Sequence, residues 1–189
     1  METALSWLTA GSVSVIDFGC GNGKVLFRCL DKGTRYIYGI DISNAAVKKA
    51  NEIKESFNYK EKAEFACGGL GELEKINENE YGGAVLFNIV DNIKPEDVSF
   101  LLNKIHRIVK PGGRILLKLN PYITREEIEE YKLEKVSDGF YKESSGLYLY
   151  NLTKEKAEEI LSPYFNIEKY QEIEFKGNIN RMYYLVNKK

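Results

Sequence analysis

The stretch VIDFGCGNGK, residues 15–24, constrains this chain more than any other. Val13, Val15 and Ile16 read as an apolar strand, and Asp17 and Phe18 lead straight into Gly19, Gly21 and Gly23 at alternate positions. Glycine supplies positive φ, and it lets backbone approach a neighbour that a Cβ would obstruct. A strand that breaks into such a turn and resumes as a helix is half of a β-α-β unit. Its turn holds a phosphate, an adenosine-type ligand, or nothing but a tight corner. Spacing removes two familiar turns. A dinucleotide turn needs GxGxxG, and its last glycine position is Lys24 here; a phosphate loop needs GxxxxGK followed by Ser or Thr, and Val25 stands in the hydroxyl position.

The rest of the chain continues the alternation. KVLFRCLDKG reads as a helix ended by Gly33, and RYIYGID as a second strand. SNAAVKKANEIKESF is an amphipathic helix with Ser43 as N-cap and Ala46, Val47, Ala50, Ile53 and Phe57 on one stripe. AEFACG is a short strand, and GAVLFNIV a strand buried on both faces. Pro95 opens a helix that runs through EDVSFLLNKIHRIVK to the stop PGG at 111–113, and RILLKLN is a fifth strand. This order predicts an α/β fold: a doubly wound, mostly parallel sheet with helices on both faces and a ligand at the strand C-terminal ends. Beyond Asn120 the rhythm changes. TREEIEEY is a helix with a capping box from Thr124 to Glu127, GFYKESSGLYLYN is extended around Ser-Ser-Gly, and TKEKAEEILSPYF is a helix capped by Thr153. NIEKYQEIEF and RMYYLVNK are strands joined by a KGNIN turn; they pair antiparallel at the sheet border, and the alternation of Met182, Tyr184 and Val186 reads as an edge strand.

Composition narrows the function classes. A formal charge of −1 gives no basic footprint of the kind nucleic-acid binders carry, which favours a small-molecule substrate; a local patch leaves RNA or protein substrates open. Three cysteines without CxxC spacing and a lone His106 argue against a metal site or a disulfide framework, and a cytoplasmic setting is expected. There is no run of 18 apolar residues, so no membrane span is expected, and METALSWLTAGS lacks the features of a secretory signal.

A second acid sharpens the glycine turn. Asp41 closes the second strand, 18 residues after Gly23, where a carboxylate accepts hydrogen bonds from both ribose hydroxyls and excludes a 2′-phosphate. With Asp17, it suits a ligand carrying cationic groups better than a pyrophosphate. On these residues the chain resembles class I S-adenosylmethionine-dependent methyltransferases: VIDFGCGNG is similar to their first motif, YGIDIS to the acidic motif that follows, and VKPGGRILLKL to their passage into strand five. The resemblance covers residues 13–120 and, more loosely, the last two strands.

It implies a Rossmann-like seven-stranded sheet whose last strand is antiparallel. It implies one domain over residues 1–189, with 1–12 as a short lid or tail, 13–120 as cofactor core and 121–189 on the substrate side. It implies S-adenosylmethionine as cofactor and S-adenosylhomocysteine as product. Asp17, Gly19, Cys20, Gly21 and Gly23 would line the methionine part, Asp41 would take the ribose and Ile42 would pack on the adenine. Two departures stand out. Where the family has an acid after strand three this chain has ACGGLGE, which leaves the backbone at Gly68, Gly69 and Leu70, or Glu72, to meet the adenine amino group; and Gly83 stands where strand four commonly opens with Asp.

Methyl transfer from a sulfonium is an in-line displacement, so the protein supplies mainly positioning and water exclusion, with a base needed only for a protonated amine or an unactivated hydroxyl. Asn88 and Asp91 lie where the family's acceptor-side residues sit, Asn88 to position the acceptor or the methionine end and Asp91 as a base. Asn120 and Tyr122 follow strand five, and Tyr148 and Tyr150 share one face of an extended segment that walls an aromatic pocket. Lys118 either neutralises Asp91 or snorkels to solvent. The Asn-Pro-Tyr at 120–122 is similar to the motif of amino-methylating enzymes, but it follows strand five rather than strand four and has one proline. Two other classes stay open at this point: a cofactor-binding sensor or scaffold without transfer, and a nicotinamide oxidoreductase, which Lys24 disfavours.

Overall fold

The computed structural model describes residues 1–175 and 177–189, so Lys176 of the expected KGNIN turn lies outside the described residues. In chain order the elements are α1 (Glu2–Thr9), β1 (Ser14–Phe18), α2 (Lys24–Asp31), β2 (Tyr36–Asp41), α3 (Asn44–Ser56), β3 (Ala63–Cys67) and a 3-10 turn (Leu70–Lys75). Then come β4 (Tyr81–Phe87), α4 (Pro95–Ile108), β5 (Val109–Leu119), α5 (Arg125–Glu130), β6 (Glu134–Ser137), β7 (Phe140–Lys142), β8 (Tyr148–Tyr150), α6 (Lys154–Leu161), β9 (Phe165–Phe175) and β10 (Asn178–Asn187).

Seven strands form one sheet in the order β3-β2-β1-β4-β5-β10-β9, and β6-β7-β8 form a second, three-stranded sheet. β1 to β5 pair in parallel, while β10 runs antiparallel to both β5 and β9. The doubly wound Rossmann-like sheet with an antiparallel last strand is therefore present. Strand order reverses between β1 and β4, which puts the glycine turn at the position where such sheets bind ligands.

Alternate residues feed opposite faces. Ile16, Leu86, Leu117 and Tyr183 belong to one buried cluster, and Val15, Val85, Leu116 and Tyr184 to the other. β10 corrects the reading of an edge strand: it lies inside the sheet, and β9 takes the border. Met182, Tyr183, Tyr184 and Leu185 are all buried because helices cover both faces, and two-sided burial is invisible to an argument from alternation. α4 also ends two residues short of the expected boundary, since Val109 is already extended and pairs with Tyr81.

α1 packs on the sheet with Leu5 and Leu8 fully buried. Residues 1–12, expected as a lid or tail, thus sit against the first residues of β4 rather than over the strand C-terminal ends. A Cβ on Gly83 would stand 2.9 Å from Leu8 Cδ1 and 3.1 Å from Ser12 Oγ. Glycine at the position where an acid was expected is what admits this helix. Arg114 at the start of the buried part of β5 closes the contact, donating to the carbonyls of Trp7 and Ala10 at 2.6 Å each. No described helix is long and apolar enough to cross a membrane.

Because Leu8 is fully buried against the sheet, Leu8→Ala should lower the unfolding free energy by about 2–5 kcal/mol in a urea titration. A loss below about 1 kcal/mol would mean that α1 is not part of the core.

Candidate functional site

Gly19, Gly21 and Gly23 all have positive φ (+83°, +55° and +76°), which makes the turn after β1 left-handed at three alternate positions. The reasons for glycine differ among them. A Cβ on Gly23 would stand 2.8 Å from the Phe65 ring, and one on Gly19 would stand 3.2 Å from Ile89, so there the backbone approaches the protein's own side chains. At Gly21 nothing lies within 4 Å, and only the φ excludes a side chain.

The turn is hung from β2. The amides of Gly19 and Cys20 both donate to the Ile40 carbonyl, at 2.8 and 3.0 Å. Asp41 Oδ2 accepts from the Gly21 amide at 2.7 Å, and its Oδ1 accepts from the Ser43 amide at 2.8 Å. Each carboxylate oxygen keeps a free lone pair. Asp17 is buried at 3% exposure, and its Oδ1 has no hydrogen-bond partner. Burial, reinforced by the nearby Asp41 charge, pushes the Asp17 carboxyl up to about 8. Cys20 is buried in the turn, its thiol likewise raised by burial, with Sγ donating to the Gly21 carbonyl.

A cleft of about 310 Å3 opens beside this turn, bounded by Gly19, Asp41, Ile42, Gly68, Gly69 and Leu70, with Ile89 and Ile93 as its far wall. Ile42 is 82% exposed there, an unusual state for a large apolar side chain. Glu72 folds over Gly68 and pairs with Lys75 at 2.8 Å, so the backbone of residues 68–70, not that carboxylate, lines the cleft.

A second cleft, of about 410 Å3, is lined by Asn88, Asn92, Asn120, Tyr122, Tyr131 and Tyr148 among others. Asn88 and Ile89 are consecutive, and each lines a different cleft, so this peptide is the partition between them. Asn88 adopts φ +54°. Its Nδ2 donates to Asn120 Oδ1 at 2.8 Å, and Asn120 Nδ2 donates to Asn92 Oδ1 at 2.9 Å. Asn88 Oδ1 is buried and receives no hydrogen bond.

Several acceptor-side expectations change. Asp91, read as a base, is fully buried, which removes it from contact with an acceptor. Its Oδ2 accepts from the Asn120 amide, its carbonyl accepts from the Tyr150 amide at 2.8 Å, and burial raises its carboxyl. Lys118 lies over the Phe87 ring, 5.8 Å from its centroid, and burial lowers its ammonium despite the Asp91 charge. Tyr148 and Tyr150 do not wall one pocket. Phe140 touches both, stacked on Tyr148 at 5.1 Å and edge-on to Tyr150 at 6.4 Å, and Tyr150 lines a separate cavity of about 720 Å3 with Tyr141. Tyr122 lines both cavities. His106 is away from these clefts, bonded through Nδ1 to Asn187 at 2.7 Å.

Three contributors escaped the sequence reading. Asn92 continues the amide chain, Tyr131 adds a third ring to the second cleft, and buried Arg181 donates from Nε to the Asn120 carbonyl at 3.0 Å and from Nη1 to the Leu152 carbonyl. The one usable signal was a cation set directly against the apolar run MYYLV.

With this geometry in view, the family described as "Methyltransferase domain" matches residues 15–113, more than half of the chain, and the chain belongs to that family. A tRNA N(3)-methylcytidine methyltransferase of Schizosaccharomyces pombe is 23% identical over 163 residues, 84% of this chain and 53% of that protein. A tRNA N(3)-cytidine methyltransferase of Gallus gallus is 24% identical over 163 residues, 82% of this chain and 43% of that protein. The chain thus spans about half the length of these curated relatives. Among solved structures, the 1,6-didemethyltoxoflavin-N1-methyltransferase of Burkholderia thailandensis superimposes with a TM-score of 0.78 at 18% identity, covering 99% of this chain and 77% of that one, a likeness of fold.

The raised Asp17 carboxyl has a consequence for stability. Between its unfolded value near 3.8 and its folded value of about 8, the folded chain holds a proton that the unfolded chain releases. Stability of the ligand-free protein should therefore fall as pH rises through that window and level off above it. Asp91, raised for the same reason, adds to the slope. Thermal melts across this range should show Tm declining, with a shallower decline in Asp17→Asn; an equal slope in the two proteins would assign the proton elsewhere.

Proposed function

Because this chain belongs to the methyltransferase-domain family, we propose that it moves a methyl group from S-adenosylmethionine, held in the first cleft, to an acceptor in the second. The observation that carries this reading is Asp17: a buried carboxyl with an unpartnered oxygen beside a left-handed glycine turn. Burial keeps it protonated near neutral pH; its ionised form there is costly unless a cation meets it, and the ammonium of a methionine-derived ligand is a cation of the right kind. The free lone pairs of Asp41 suit a ribose diol, and exposed Ile42 with the backbone at Gly68, Gly69 and Leu70 suits the face and edge of an adenine.

When bound, that cofactor supplies a methyl group on a positively charged sulfur that departs as a neutral thioether. The chain's own part is placement. Asn88 and Ile89 set the boundary at which the two ligands would meet. Asp91 acts through Asn120, whose amide it holds, and so positions the amide chain rather than removing a proton. With that carboxyl out of reach, the acceptor arrives with its lone pair already free, as a ring nitrogen does.

The second cleft is lined by no Lys, Arg or His among the described residues, which supports a small neutral acceptor. A second reading, a cytidine in a tRNA, is favoured by the names of the two relatives aligned over most of this chain. Methyl-labelled cofactor, incubated with the protein and either an unmodified tRNA transcript or a small-molecule extract, separates them by where the label appears. Label in neither, with cofactor bound, would support a sensor without transfer.

The cofactor half is checked separately. Asp41→Ala should weaken S-adenosylhomocysteine binding by a factor of about 10 to 100, the loss of about 1.5–3 kcal/mol for a hydrogen bond to a charged group. Calorimetry with circular dichroism as a folding control reads this, and an unchanged affinity in a folded variant would remove Asp41 from the site.

A further inference from the structure

We infer that the second cleft selects a neutral, planar ring, and rejects acceptors that carry a negative charge within it. The inference deepens the acceptor side of the proposed methyl transfer and rests on that reading for its chemistry, though the selectivity itself is a property of the cleft.

Two observations converge. The first is charge. Glu127 and Glu143 are the ionisable carboxylates lining the cleft, and no Lys, Arg or His lines it among the described residues. Glu127 already accepts from the Thr124 amide in the capping box, and Glu143 accepts from Ser145 Oγ. Beneath the floor lies the buried Asp91 carboxyl, and the nearby Arg181 guanidinium is turned to the Asn120 and Leu152 carbonyls. A carboxylate or phosphate entering here would lose its hydration and meet no cation.

The second is shape. Tyr122, Tyr131 and Tyr148 bring three aromatic rings to one cleft, and Leu147 joins them. Tyr122, Tyr131 and Leu147 are 48%, 56% and 57% exposed, a local apolar surface that a flat ring would cover.

The ring has two possible sources, a free molecule or a base within an RNA strand. In the second case the strand's phosphates would lie outside this cleft, across Tyr122, where Arg125, Lys135 and Lys156 border the neighbouring cavity, each paired with a carboxylate (Glu129, Asp138 and Glu159) that a phosphate would displace.

The test uses matched pairs in which the ring carries or lacks an anion: nicotinamide against nicotinate, and uracil against orotate. Each is titrated into the full chain, with and without saturating S-adenosylhomocysteine. The neutral member should bind at least about tenfold more tightly than its anionic partner. Tyr148→Ala should weaken the neutral ring by about tenfold while S-adenosylhomocysteine affinity stays within about twofold. Equal or tighter binding of the anionic members, or no binding of any neutral ring by protein that binds S-adenosylhomocysteine, overturns the inference. Failure of S-adenosylhomocysteine to bind, with ring selectivity intact, overturns the cofactor reading instead. Preferential methyl labelling of free cytidine or of an unmodified tRNA transcript then identifies the source.

Discussion

Two hydrogen bonds to one carboxylate organise the ligand edge of this molecule. Asp41 closes β2 and accepts from Gly21 in the turn after β1 and from Ser43 at the start of α3. It thereby ties together the ends of two consecutive β-α units. The turn it holds has a left-handed backbone at Gly19, Gly21 and Gly23, which unpaired chain would adopt only at an entropic cost. Once the turn is pinned, Asp17 is trapped below it with an unpartnered oxygen, and the space between Asp41 and residues 68–70 becomes a cleft. The same residue that braces the turn is the one the proposed ribose contact would use.

The acceptor side is built on a different plan. An amide chain, Asn88 to Asn120 to Asn92, joins the loop after β4 to the end of β5, and buried Asp91 fixes the Asn120 backbone from below. Asn151 clamps Ile123 through both its amide and its carbonyl, at 3.0 and 2.7 Å, while the Tyr150 amide bonds to the Asp91 carbonyl. These contacts dock the small β6-β7-β8 sheet beside the cleft. A polar network of this kind is costly when left incomplete, because its members are desolvated. Two of its atoms, Asn88 Oδ1 and Asp91 Oδ1, are buried without a hydrogen-bond partner.

Much of the architecture was legible in the residues. The glycine turn, the alternation of strands and helices, Ser43, Thr124 and Thr153 as caps and the antiparallel closing pair all follow from local chemistry that the structure shows. What was misread depended on neighbours distant in sequence. β10 looked like an edge strand because alternation measures one face, whereas β9 arrives later to cover its free side. Gly83 looked like a lost acid, but it is the opening through which Leu8 packs. Tyr148 and Tyr150 looked like one wall, yet both contact Phe140 and they line separate cavities.

By itself, then, the sequence determined the fold class and the neighbourhood of the ligand edge, because turns, caps and periodic burial are short-range properties of the chain. Tertiary structure decided which acids are reachable. Asp17, Asp41 and Asp91 are alike as residues, but two are buried with Oδ1 unpartnered, Asp17 below the glycine turn and Asp91 as a brace for Asn120, and one is shared between two amides at a cleft. Solvent exposure and the arrival of donors from other elements set those differences, and neither quantity exists until the strands are side by side.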